Sequence, residues 1–463
     1  MPKASGAAST DATQNDQQES TPPASAVTAA AGEPAAADAA RIAEMLAAIA
    51  AIGADPSGVG ISRVGFSQAE REAHRLVGGW LRELGLSIRQ DAIGNTIAER
   101  KSLDPSLPAI GFGSHLDSVP HGGRFDGIVG VVGAVELVHQ LVANEEQTRH
   151  PLRVVIFAGE EGARFGEPCI GSKAAAGHLA NRDLGHMRDA QGVSLAEALE
   201  GIGLNPARVR DARWRPADWA AFLELHIEQA RALEEQGLPI GIVDIVSGST
   251  RLKIDLAGRA DHSGGTPMSM RSDALATAAE VVVAAEALAK EPQHRGARLT
   301  VGRLDVFPNS ITTIPGRVVL AVDVRDIDSD RQRMLAAQLV QRTRAAAERR
   351  GVRFEAEVIA DTSPAVMPIW IREAVSRACD AEGLEFRVMT SGAGHDSQVI
   401  NQIVPAGIIF VPSKDGLSHV PEEWTSAIDI ARGVNVLHRS VLSLDALLAE
   451  FGNLAEPAAG SAS

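Results

Sequence analysis

His115, Asp126, Glu161, His226 and His419 each stand at or just past the end of an apolar or β-branched run, which restricts the folds that can bring them together. The first two lie in GFGSHLDSVPHGGRFDGIVG, where a run ending in His-x-Asp leads into a glycine-rich turn and then a helical pattern. Glu161 closes VVIFAGEEG beside Glu160, His226 lies in FLELHIEQ, and His419 lies in GLSHVPEEW. AIGFGSH, the helix pattern GIVGVVGAVELVHQLVAN and VVIFAGE follow one another as strand, helix, strand, which predicts an α/β catalytic domain with a mixed, mostly parallel, helix-covered sheet.

From about Ser249 the pattern changes to strand RLKIDLAG, helix DALATAAEVVVAAEALAK, strands in RLTVGRLDVFP and VVLAVDVRD, helix DRQRMLAAQLVQRTRAAAERR and strand VRFEAEVIA. That β-α-β-β-α-β order predicts a ferredoxin-like α+β domain over 249–361. His419 comes after it, so the domain is inserted and the catalytic domain is discontinuous, 41–248 plus 362–450. Ser67 with Glu70 three residues on reads as the capping box of a helix over FSQAEREAHRLVGGWLRELGL. Residues 1–40 and 451–463 are Ala-, Ser- and Pro-rich with few large apolar side chains, and are expected to be disordered tails. The first of these lacks the apolar stretch of a secretory signal.

Two acids and three histidines offer hard oxygen and borderline nitrogen donors, a set suited to a pair of Zn²⁺ or Mn²⁺ ions rather than to Ca²⁺. A carboxylate such as Asp126 can bridge two such ions, one acidifying a water and the other polarising a carbonyl. Of the adjacent glutamates, one can bind metal while its neighbour stays free to take a proton. His74, His121, His139, His150, His178, His186, His294 and His438 lie outside such motifs and read as core or surface residues. Gly122, Gly123 and Gly127 are not followed by Lys-Ser/Thr, which excludes a phosphate-binding loop. A net charge of −15 argues against nucleic acid or an anionic membrane as partner. With only two cysteines, Cys169 and Cys379, and no apolar stretch long enough to span a bilayer, a cytoplasmic protein is expected.

The strings GSHLDSVPHGGRFDGIVG, FAGEEGARFG, ELHIEQ, ADHSGGTPM, FPNSITTIPG, AVDVRD, SGAGHDSQ and GLSHVPEEW occur in that order, and together they closely resemble the hydantoinase/carbamoylase family of binuclear-metal amidases. That family sits in the clan of aminoacylases and zinc aminopeptidases. The resemblance implies a zinc-aminopeptidase-like fold whose inserted domain is a lid and dimerisation domain. It also implies two divalent ions per subunit, Zn²⁺ ahead of Mn²⁺ or Co²⁺, one on His115 and His226, the other on Glu161 and His419, with Asp126 shared. Glu160 becomes the general base, and Asp117 an acid that orients a metal histidine through its other ring nitrogen. Arg325 would clamp the substrate carboxylate, although pairing with Asp323 or Asp326 is the plainer reading of AVDVRD. His262 would reach a partner subunit's site, where the plainer reading is a tight turn. Gln229, Gly394 and His395 would touch substrate, as would Thr312, which stands where the family carries Asn. The implied activity is hydrolysis of an N-carbamoyl or ureido group in a small-molecule acid by a homodimer. Allantoate hydrolysis, N-acyl amino acid deacylation or peptide cleavage are the alternatives, and a binding protein on this fold would require a lost ligand or base.

Overall fold

A computed structural model describes residues 35–451. In chain order the strands of the first part are β1 (Ser87–Gln90), β2 (Thr96–Arg100), β3 (Ala109–His115), β4 (Leu152–Phe157), β5 (Trp219–Ile227) and β6 (Ile240–Val246). A second group follows: β7 (Gly248–Ala257), β8 (Asp261–His262), β9 (Arg298–Phe307), β10 (Thr313–Ile314), β11 (Arg317–Asp326) and β12 (Arg353–Thr362). The chain then returns with β13 (Ala365–Val366), β14 (Phe386–Ser391) and β15 (Ala406–Val411). The helices are α1 (Ala39–Ala50), α2 (Gln68–Glu83), α3 (Ile128–Ala143), α4 (Ile170–Ala175), α5 (Leu195–Gly201), α6 (Ala232–Gln236), α7 (Ala274–Ala289), α8 (Ser329–Arg349), α9 (Ile369–Glu382), α10 (Asp396–Ile400) and α11 (Ala427–Phe451).

The first and last strands form one sheet in the order β1-β2-β4-β3-β5-β15-β6-β13, with β14 also on β6. Its centre, β4-β3-β5-β15, is parallel, and this is the part that carries the site. Both β3 and β5 are buried along their whole length, as strands covered on two faces must be. Helices α1, α3, α9 and α11 pack a continuous apolar core on one face, with Val131, Val135, Leu225, Val434 and Leu437 among its members.

Strands β12-β7-β11-β9 form a separate antiparallel sheet with its own core. Along β7 every second residue is buried, so Leu252, Ile254 and Leu256 face α7 and α8 while Ser249 and Arg251 point to the other face. This is the β-α-β-β-α-β unit expected from the sequence, with its outer strands reaching one residue further at each end, to 248 and 362.

Two local expectations need correction. Asp38 caps α1 by accepting from Ala40 N and Arg41 N, so the expected tail boundary at residue 40 falls inside a helix. The rest of that tail, residues 1–34, and residues 452–463 lie outside the described residues. Ser67 does cap α2, but the Glu70 carboxylate turns away from the helix and accepts from Phe66 N and Gly159 N, so the capping box is only half formed. Among the described residues no helix is long and apolar enough to cross a membrane. Cys169 and Cys379 are both free and buried.

Candidate metal centre

His115 is the last residue of β3, and its Nε2 lies 3.6 Å from Asp126 Oδ1. Asp126 is brought there by a loop whose next residue, Gly127, has φ +70°; a Cβ on it would lie 2.4 Å from the His115 ring, so the loop can rest against the imidazole only with glycine. His226, near the end of β5, points Nε2 at the same Asp126 oxygen from 3.2 Å. Its Nδ1 donates to the Ile227 carbonyl at 2.9 Å, which leaves Nε2 as the lone-pair nitrogen. The other Asp126 oxygen, Oδ2, lies 3.4 Å from His419 Nε2, and that nitrogen lies 3.0 Å from Glu161 Oε2. Two donor clusters result, His115-Asp126-His226 and Asp126-Glu161-His419, and Asp126 belongs to both.

Three buried carboxylates hold the loops that deliver these donors. Asp117 accepts from Glu160 N at 2.9 Å and Glu161 N at 3.1 Å. Its carboxylate is thus engaged by the next ligand loop, and the closest acceptor for His115 Nδ1 is the Asp117 backbone carbonyl at 3.2 Å rather than the acid at 3.4 Å. Glu70 fixes the same loop through Gly159 N at 2.8 Å. Glu423 joins the other two loops, accepting from Phe125 N and Asp126 N with one oxygen and from Ser418 Oγ and His419 N with the other. Sequence reasoning named neither Glu70 nor Glu423 as part of the site. The pair Glu422-Glu423 carries no local sign of which carboxylate is buried; in the fold the Glu423 carboxylate rests against Gly123, where a Cβ would meet it at 2.3 Å.

The electrostatics of the cluster favour added positive charge. Burial pushes the Asp126 carboxyl up, but His226, His115 and His419 together outweigh that and hold it well below the usual range. Burial works against a charged imidazole at His419, yet Asp126 and Glu161 raise it to about 11. Burial, with Glu161 and Asp117 nearby, lifts Glu160 to about 7 against the pull of His115. Carboxylates this close, with imidazole lone pairs facing them, suit divalent cations. Glu160 lies 3.7 Å from His115 Nε2 and accepts from the Cys169 thiol at 3.1 Å, so it borders the donor clusters without being a member of either.

A cavity opens from the centre, bounded by Glu160, Gln229, Gly394, Arg325 and Arg251. Gln229 adopts φ +55° and directs Nε2 to Asp126 Oδ2 and Ser418 Oγ. His395 is buried, with Nε2 3.0 Å from Ser391 Oγ and its ring edge-on to His226 at 4.6 Å. Arg325 pairs with Asp323 at 2.8 Å, as the plainer reading had it, and also donates to the Gly392 carbonyl while lining the cavity. His262 and Thr312 lie elsewhere. His262 sits exposed on β8, its Nδ1 accepting from Gly264 N and Gly265 N, and Ser263 N donates to the Thr312 carbonyl. The two are neighbours of each other and do not line this cavity.

The peptidase family M20/M25/M40 matches residues 111–443 of the chain. The N-carbamoyl-L-amino acid amidohydrolase of Geobacillus stearothermophilus is 40% identical over 405 residues, covering 87% of this chain and 98% of that enzyme. The allantoate amidohydrolase of Escherichia coli strain K12 is 32% identical over 403 residues, covering 86% and 95% respectively. Among solved structures, an amidase of the hydantoinase/carbamoylase family from Burkholderia vietnamiensis matches with a TM-score of 0.82 at 34% identity, over 88% of this chain and 98% of that one.

Proposed function

The chain belongs to the peptidase M20/M25/M40 family, and from that premise we propose that it is a metal-dependent amidohydrolase cleaving the carbamoyl C–N bond of N-carbamoyl amino acids or a related ureido acid. One observation carries the reading: Asp126 divides its two oxygens between His115 and His226 on one side and His419 on the other, with Glu160 buried alongside. The relatives named as amidohydrolases of N-carbamoyl amino acids and of allantoate support the bond class.

Two divalent cations, Zn²⁺ ahead of Mn²⁺ or Co²⁺, would be held by His115 and His226 and by Glu161 and His419, with Asp126 between them. When bound, such a pair acidifies a water and polarises the carbonyl it attacks. Glu160 takes the proton of the attacking water at its carboxylate and delivers it to the departing nitrogen. Asp117 and Glu70, by holding the backbone N–H groups of residues 159–161, keep that carboxylate aimed at the cavity. Arg325 presents its remaining guanidinium N–H groups to the substrate carboxylate, and Gln229 and Gly394 bound the space beside it, with His395 buried behind them against His226.

The working assembly is a cytoplasmic homodimer in which the 249–361 domain acts as lid and pairing surface, and His262 and Thr312 serve the partner's site. Exposed apolar side chains beside these two residues, with Ile311 99% and Met268 78% exposed, support a covered surface there. The test is a substrate panel on metal-reconstituted protein. Ammonia release from N-carbamoyl-L-amino acids, N-carbamoyl-β-alanine or allantoate is expected; release of a free acyl group from N-acyl amino acids with no ammonia from any ureido acid would transfer the chain to the deacylase or peptidase reading.

A further inference from the structure

We infer that Arg251 forms a second anion subsite in the cavity beside the two donor clusters, and that the preferred substrates are ureido acids with a second carboxylate on a short side chain, of the N-carbamoyl-aspartate and N-carbamoyl-glutamate class. The inference rests on the function proposed above. Besides Arg251, one lysine and one arginine line this cavity, and both are matched by acids: Lys173 by Glu167, which also takes Arg182, and Arg325 by Asp323. Arg251 forms no ion pair among the described residues, and its one hydrogen bond is from Nη1 to the Gly166 carbonyl at 3.2 Å. A guanidinium carries five donors in a planar fork, so most of its capacity is left for a ligand.

Position supports the same conclusion. Arg251 and Arg325 lie on the open face of adjacent antiparallel strands, β7 and β11, where Asp323 is opposite Arg251 and Arg325 is opposite Ser249. The two arginines are therefore diagonal neighbours, about 7–8 Å apart at the backbone, a spacing two carboxylates on one short chain can bridge. Asp323 stands between them but is committed, with Oδ2 on Arg325 and Oδ1 accepting from Ser249 Oγ at 2.6 Å. The acids that line the cavity, Asp126, Glu160 and Glu161, all lie at the end formed by the donor clusters. Substrate seated with its ureido group among those acids and its α-carboxylate on Arg325 has Arg251 within reach of its side chain.

The experiment compares kcat/KM for N-carbamoyl-L-glutamate and N-carbamoyl-L-alanine in the metal-loaded wild type, Arg251→Gln and Arg251→Lys. The wild type is expected to prefer the glutamate derivative. The glutamate-to-alanine ratio should fall at least tenfold in Arg251→Gln and much less in Arg251→Lys. Wild-type preference for the alanine derivative, or loss of both activities in equal proportion, would overturn the subsite and leave Arg251 as a strut to the Gly166 loop. A binding measurement on the wild-type holoenzyme separates this from the function itself and does not depend on the variants folding: glutarate should bind tighter than butyrate by calorimetry. A glutarate preference without turnover of any ureido acid would refute the proposed reaction and keep the subsite; turnover without a glutarate preference would refute the subsite and keep the reaction.

Discussion

Glu160 and Glu161 are adjacent in the chain and are held by the two oxygens of one acid, Asp117, yet they should respond oppositely to the same change. Glu160→Gln removes a proton acceptor that belongs to neither donor cluster, so it should keep both metals and lose at least about a hundredfold in turnover. Glu161→Gln should instead lose metal, because its carboxylate is a member of the His419 cluster. Metal analysis alongside kcat checks both, and the reverse pattern would exchange the two roles. Glu423 allows a third test at this scale. Glu423→Gln replaces one of two accepting oxygens with a donor facing backbone N–H groups, so the loops bearing Asp126 and His419 should loosen together. Metal affinity should fall about 10–100-fold, as for other groups that orient ligands, with turnover largely recovered at saturating metal.

Between elements, the contact of α2 with β2 is polar at one point: His74 Nδ1 meets Thr96 Oγ1 at 2.9 Å inside an otherwise closed surface. Burial, together with the positive charges of Arg71 and Arg63, holds this imidazole well below its ordinary pKa. The folded protein therefore stays neutral at His74 at a pH where the unfolded chain, titrating near 6.5, takes up a proton. Stability from this residue is present above about pH 6.5 and is lost as pH falls below it, at up to about 1.4 kcal/mol per unit. Urea midpoints at pH 7.5 and 5.5 should drop further for the wild type than for His74→Gln. Equal drops would mean that His74 charges within the fold. The neighbouring Glu70 illustrates why a helix signature can mislead: the Ser67 N–H already donates to the Val64 carbonyl, so the buried Glu70 carboxylate serves the N–H groups of Phe66 and Gly159 instead.

At the scale of the whole molecule, the proposed metal pair and the proposed homodimer each lead to an expected outcome. Chelation is expected to abolish activity, and Zn²⁺, Mn²⁺ or Co²⁺ to restore it; full activity in protein demonstrated to be metal-free would remove the mechanism. Among the described residues the second sheet ends in edge strand β9, which pairs only with β11, and α7 beside it exposes Val283, two features that suit pairing across a two-fold axis. If His262 serves the opposite subunit, mixing inactive His262→Ala with inactive Glu160→Gln subunits should recover activity through hybrid dimers carrying one intact site. Proven subunit exchange with no recovery would confine His262 to its own chain.

The strand-end positions of His115 and His226 and the β-α-β-β-α-β order of the second sheet were legible in the sequence, because each is written in a contiguous window: a β-branched run, an alanine-rich helix, a short motif at the run's end. Asp126 and His419 were expected at strand ends too, but Asp126 lies just before α3 and His419 eight residues past β15, since loops rather than strands deliver them. What the sequence left open are pairings between distant windows. Glu423 reaches Phe125 across 298 positions, and nothing in PEEW distinguishes it from the exposed Glu422 beside it. The commitment of Asp117 to residues 160 and 161, the turn of Glu70 toward Gly159 and the side of β7 on which Arg251 emerges were likewise decided by tertiary structure. A buried N–H or a cavity wall exists only once the layers have packed, and only then does it select, from many acids and arginines of equal local standing, the few that meet it.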